Sequence, residues 1–216
     1  MGNKNYELTS HKNSLHSGKY FYGGFSYEFG DKFLKIVQFQ VSNSNRQMEL
    51  DISYISAATA GNIYYDFAIK TVSFKKTSNY LGFHIGNDFN LNFFPKIDDK
   101  NLLWFNQTFT GISLINKYKF SSTKRIDFNT HIPILSSIIY NRFDRLNGKV
   151  PNKESVKSYS GFMDKLFNAN TEIGYVFSKY GLNWGVYYQF EINRMNETVS
   201  NRLTSRANSV SLRVIY

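Results

Sequence analysis

Apolar and polar residues alternate with a period of two through most of the chain. The cleanest run is residues 81–93. Leu81, Phe83, Ile85, Phe89, Leu91 and Phe93 share one face, interrupted by Asn87, while Gly82, His84, Gly86, Asp88, Asn90 and Asn92 share the other. Successive side chains of a strand point to opposite faces, so this pattern predicts strands with one greasy and one polar side. Phe21, Phe25, Tyr27 and Phe29 make the first such face, and Val37, Phe39 and Val41 a second. Leu50, Ile52 and Tyr54 follow, and then Ile63, Tyr65, Phe67 and Ile69. Residues 104–120 are extended, with a phase slip expected near Gly111. Ile126, Phe128, Thr130, Ile132 and Ile134 oppose Arg125, Asp127, Asn129, His131 and Pro133. Proline has no N–H to give a ladder, so a bulge is expected at Pro133. Residues 167–177 and 182–192 alternate again, and the chain closes on Val210, Leu212, Val214 and Tyr216, opposite Ser209, Ser211 and Arg213.

Between these runs lie the expected breaks. Gly30-Asp31, Asn43-Ser44-Asn45, residues 75–79, 121–124 and 178–181 read as turns, and Ala57–Gly61 as a short loop. Residues 95–101, 141–165 and 194–206 read as longer polar loops, and residues 1–17 as an N-terminal arm before a single domain, 18–216. The short turns near Ser44, Thr77, Thr123 and Lys179 fall mostly at the end that holds Tyr216, and the longer loops near Asp98, Gly148 and Glu197 at the other.

The terminal strand, ending on an aromatic residue, resembles the last strand of bacterial outer-membrane β-barrels. That resemblance implies an all-β fold: a closed antiparallel transmembrane β-barrel of about ten strands (range about 8–12), an even number as such barrels use. It implies a mature outer-membrane protein of a Gram-negative cell, because Met1-Gly2-Asn3-Lys4-Asn5 begins no signal peptide. Two aromatic girdles are expected, one from Phe93, Phe94, Trp104 and Phe105, the other from Tyr118, Phe120, Phe177, Tyr180 and Tyr216. The composition resembles that of barrels from AT-rich bacteria such as the Bacteroidetes. A soluble ligand-binding barrel shows the same alternation with its apolar face inward. The polar face here, rich in Asn, Gly, Gln and Tyr, favours the membrane form.

Composition narrows the chemistry. The formal net charge is +10, but no basic helix or nucleic-acid motif accompanies it, so no nucleic acid partner is expected. There is no Cys, which removes disulfides and thiolate metal sites. Phosphate loops, the two-histidine zinc helix and the nucleophile elbow are missing, so no cofactor and no metal are expected. One pattern invites chemistry: His84 with Asp88 and Asp127 with His131, each four residues apart on a polar face, are candidate catalytic pairs in which a carboxylate orients an imidazole base. Omptin proteases resemble this chain in strand number, but no motif matches and no residue carries over. Outer-membrane phospholipases offer no match either.

The chain therefore reads as a barrel without catalytic activity. Asp66, Lys70, His84, Asp88, Arg125, Asp127, His131, Glu172, Glu191 and Arg213 would form a salt-bridge network in the lumen. Arg142, Arg145, Lys149, Lys153 and Lys157 would form a basic surface loop for lipopolysaccharide or other outer-membrane lipid, with other outer-membrane proteins as further partners. The expected role is a structural or interaction subunit of a membrane complex, or a narrow, porin-like channel. A hydrolase acting on lipid or peptide, and a soluble ligand-binding barrel, are the alternatives.

Overall fold

The computed structural model describes residues 2–8, 14–49, 53–93, 102–142, 155–196 and 202–216. These form β1 (Gly2–Leu8), β2 (Ser14–Phe29), β3 (Phe33–Glu49), β4 (Ser53–Ser73), β5 (Thr77–Phe93), β6 (Leu102–Lys119), β7 (Lys124–Arg142), β8 (Ser155–Phe162), β9 (Leu166–Lys179), β10 (Leu182–Asn196) and β11 (Arg202–Ile215). Neighbours in sequence pair antiparallel from β2 round to β7, then through β9 and β10 to β11. The ring closes where β11 meets β2 in parallel, Ser211 opposite Tyr22 and Ile215 opposite Ser26. The backbone of Tyr216 extends this seam, its N–H donating to Ser26 O (2.9 Å) and its carbonyl accepting from Glu28 N–H (2.8 Å).

Nine strand positions close the barrel, and an odd ring of up-and-down strands must contain one parallel pair. The count lies within the expected range, but its odd number corrects the even one. Two details produce it. Strands β8 and β9 occupy one position in series: β7 pairs with β9 up to His131 and with β8 from Leu135 on. The residues between contain Pro133, which cannot donate to either partner. The other detail is β1, wedged between β11 and β2 at the end opposite the tight turns.

Long-range pairing overrides several local signals. Asn43–Asn45, expected to turn, continue β3, because Phe21–Lys19 on one side and Thr59–Ala57 on the other satisfy their backbone groups. Ala57–Gly61, expected as a loop, lies inside β4 between β3 and β5 for the same reason. Part of the expected N-terminal arm is β1 and the start of β2. Part of the expected loop 141–165 is β8, followed by a turn closed by Lys165 N–H to Phe162 O (2.9 Å). The expected loop 194–206 shortens from both sides into β10 and β11. The register shift falls beside Gly111 as expected, between Thr110 and Gly111, but the extra residue is on β7, where Ile134 and Leu135 are both exposed. Turns at 30–32, 74–76, 120–123 and 180–181 gather at one end, where Gly30, Tyr180 and Gly181 take positive φ. The loops expected near Asp98, Gly148 and Glu197 lie outside the described residues.

The face assignment decides the architecture. Phe83, Ile85, Ile112, Leu114, Val210 and Leu212 are exposed on the outer surface, Leu212 to 52%. The inward positions next to them are polar and buried: Gln40, Ser113, Gln189, Glu172 and Arg213, the last 2% exposed. A soluble barrel would show the reverse. Among the described residues, buried apolar side chains form two small clusters, Leu34, Ile36, Ala68, Tyr80 and Ile115 in one, Val176, Tyr187 and Ile215 in the other, with Tyr64 and Phe109 buried apart from them.

Candidate functional site

Among the described residues, charge and burial coincide in the lumen, where three connected groups lie. Nearest the turn end, Glu28 accepts from Lys117 Nζ (2.7 Å) and from Arg125 (2.7 Å). Arg125 Nε also donates to Asp127 (2.9 Å), and the Tyr187 hydroxyl donates to the other Asp127 oxygen (3.0 Å). Gly174 makes room for Tyr187, since a Cβ there would sit 2.2 Å from the ring. A cavity of about 180 Å³ opens beside this group, lined by Glu28, Asp31, Leu34, Tyr80, Lys117 and Arg125 among others.

Arg213 organises the second group. It donates to both oxygens of Glu172 (2.9 and 2.5 Å) and to Gln38 (3.2 Å). With its amide oxygen turned inward, Gln40 accepts from Arg213 Nε (2.8 Å) and from Gln38 (2.9 Å). The guanidinium also lies 4.1 Å over the Tyr187 ring. A bidentate carboxylate, amide acceptors and an aromatic face compensate a buried guanidinium in the way its planar fork requires.

In the third group, Asp66 on β4 lies opposite His84 on β5, and its Oδ1 contacts His84 Nδ1 at 2.8 Å. The same oxygen is 3.3 Å from His131 Nε2. The two imidazoles stack with centroids 4.1 Å apart, beside Tyr64 and Phe109. Between β5 and β7 runs β6, which presents Gly111 opposite His84 and Ser113 opposite His131. Gly111 lets β6 lie close to β7 here, since a Cβ there would sit 2.1 Å from Ile132 O. Tyr64 donates its hydroxyl to Asp88 (2.8 Å) and accepts from Asn62 (2.6 Å).

The ten residues expected in a lumen network all lie on inward positions, but they divide among different partners. Lys70 sits at the rim and pairs with Asp31 (2.7 Å), and Glu191 is buried further along the wall. The candidate catalytic pairs do not meet. Residues four apart on a strand are separated by about 13 Å. His84 takes Asp66 rather than Asp88, and Asp127 takes Arg125 and Tyr187 rather than His131. Glu28, Lys117, Gln38, Gln40, Tyr64 and Tyr187 complete the groups without having been singled out in sequence; their inward phase was the signal that could have found them. Of the basic loop, Arg142 ends β7 and Lys157 lies in β8, while Arg145, Lys149 and Lys153 fall outside the described residues.

At the turn end, Tyr118, Phe120, Tyr180 and Tyr216 of one expected ring cluster are exposed, Tyr180 to 87%, as is Phe74, while Phe177 is half-buried. The other expected ring cluster rests mainly on Phe93, Phe94 and Phe105, whose side chains lie outside the described residues.

No family model matches the chain, and no curated protein matches it. Among solved structures, the CymD monoaromatic hydrocarbon channel aligns over 97% of this chain and 85% of its own, at 7% identity and a TM-score of 0.20. That likeness is too loose to extend to activity. What places the chain among closed β-barrels is its own strand pairing.

Proposed function

We propose that this chain is a small outer-membrane β-barrel of a Gram-negative bacterium, with a lumen plugged by its own side chains, serving as a structural or interaction subunit. The observation that carries this reading is the inversion of polarity, with apolar residues outside and Arg213, Glu172, His84 and Asp127 inside. An outward apolar band suits lipid, and in a bilayer only a closed ring satisfies every strand hydrogen bond. Exposed rings at the turn end suit a membrane interface, with that end periplasmic. The basic residues Arg142, Arg145, Lys149, Lys153 and Lys157 would then meet the phosphates of lipopolysaccharide.

Plugging favours a subunit over a channel, because crossing the lumen means breaking charge-assisted hydrogen bonds about Arg213 and Glu28. The hydrolase alternative gains no nucleophile hydrogen-bonded to either histidine among the described residues. Detergent-refolded protein should run at different positions on a gel before and after boiling, and planar bilayers should show no steady conductance. A monomer that stays soluble without detergent overturns the membrane reading; sustained single-channel steps overturn the plug. Crosslinking in native membranes, followed by identification of the captured barrel proteins, tests the subunit role.

A further inference from the structure

In the third lumen group the bare atoms belong to a member of the group itself, whereas beside the second they lie on Asn129 and Gln189, the register partners of Glu172. Both ring nitrogens of His131 are buried without a hydrogen-bond partner, and so is the Ser113 hydroxyl opposite it in register. His131 Nε2 approaches Asp66 at 3.3 Å, but off the line a hydrogen bond requires. Leaving such groups bare costs about 1–3 kcal/mol each, and His131 carries two of them on one ring.

We propose that Asp66, His84 and His131 form a binding site for a divalent first-row transition-metal ion, with Zn²⁺ as its simplest occupant. Two imidazole nitrogens and one carboxylate oxygen are ligands such ions take. Ligand atoms about 2.0–2.2 Å from a tetrahedral ion lie about 3.3 Å from one another. Here the oxygen stands 2.8 and 3.3 Å from the two nitrogens, and all three atoms fall within 4.8 Å of one another. Binding needs the two rings, now stacked 19° apart, to turn out of the stack so that both nitrogen lone pairs aim at one ion. The donors come from β4, β5 and β7, so the ion would clip three strands across the inside of the wall. Buried water would take the remaining coordination positions, since all three ligands are buried. The site departs from the expectation of no metal because spacing along one strand does not reveal donors brought together from three. It does not depend on the proposed membrane role, since the same group would bind the ion in any compartment.

The test uses the full chain folded in detergent with Zn²⁺ present, dialysed, and analysed for bound metal and for its unfolding temperature. About one equivalent of retained Zn²⁺, with a raised unfolding temperature, is expected. His84→Ala and His131→Ala should each weaken binding by more than about a hundredfold, beyond the ~10–100-fold that loss of an outer-shell partner costs. Heat-dependent gel migration checks that each variant folds, and His131→Asn provides a milder second change. Co²⁺ in place of Zn²⁺ should give visible absorption bands that the double variant His84→Ala/His131→Ala lacks. The chain has two other histidines, His11 and His16, and their replacement should leave binding intact. Folded wild type that retains no Zn²⁺, Co²⁺, Ni²⁺ or Cu²⁺ overturns the proposal and leaves the spot to buried water. Metal that persists in the double variant and is lost with His11 and His16 overturns it equally.

Discussion

The groups around Arg213 and around His131 share one lumen and nearly equal burial, yet they are finished to different degrees. Arg213 directs its donors to Glu172, Gln38 and Gln40, and rests on the Tyr187 ring. His131 stacks on His84 and keeps both nitrogens unbonded. A buried polar network that is fully connected makes the interior rigid and specific; a partly connected one is costly unless something completes it. The contrast separates a structural clamp from a site.

Breaking the clamp should have the largest effect. Arg213→Met leaves the buried Glu172 carboxylate without its bidentate partner, and should cost about 3–5 kcal/mol of folding free energy in a urea titration of the lipid- or detergent-folded barrel. Replacing Glu172 as well, with Leu, should recover part of that loss, because no buried charge is then left unpaired. A stable Arg213→Met protein would show the network to be dispensable. Next comes the outward neighbour. Leu212→Arg places a charge on the apolar surface and should cost about 2–4 kcal/mol if the residue lies near the bilayer midplane, read in the same titration. A neutral result there would undo the lipid-facing assignment. His131→Leu without metal should cost about 1 kcal/mol or less, since it removes two unbonded nitrogens along with the ring packing. A loss as large as that of Arg213→Met would mean that His131 is a clamp too.

The smallest effect belongs to the rim. Asp31 is exposed in its turn, and the hydrogen bond from Lys70, with that ammonium's charge, holds its carboxyl below the usual carboxylate range. A depressed folded-state pKa adds stability above the unfolded-state value and loses it as pH falls through the folded one. Asp31→Asn should therefore leave stability at pH 7 nearly unchanged, and flatten slightly the acid limb of a stability–pH curve below about pH 4. A marked loss at neutral pH would show that this exposed pair matters more than solvent screening allows.

Much of the wall was legible from the alternation. Phe83 out and His84 in, Leu212 out and Arg213 in, Pro133 at a break: each follows from a period of two or from a missing N–H, and each is found. The contents of the lumen were less legible. Reading four-residue spacing as contact paired His84 with Asp88, whereas the strand pairing sets His84 against Asp66. Glu28 escaped notice because its partners, Lys117 and Arg125, lie on strands far along the chain.

By itself the sequence determined which residues share a face, because that depends only on the pleat of each strand. Only the tertiary structure decided that the greasy face turns outward on a nine-position ring, that β1 wedges into its seam, and that β8 and β9 follow one another beside β7. Register, closure and contact across a lumen depend on distant segments meeting, and no local pattern carries the distance between them.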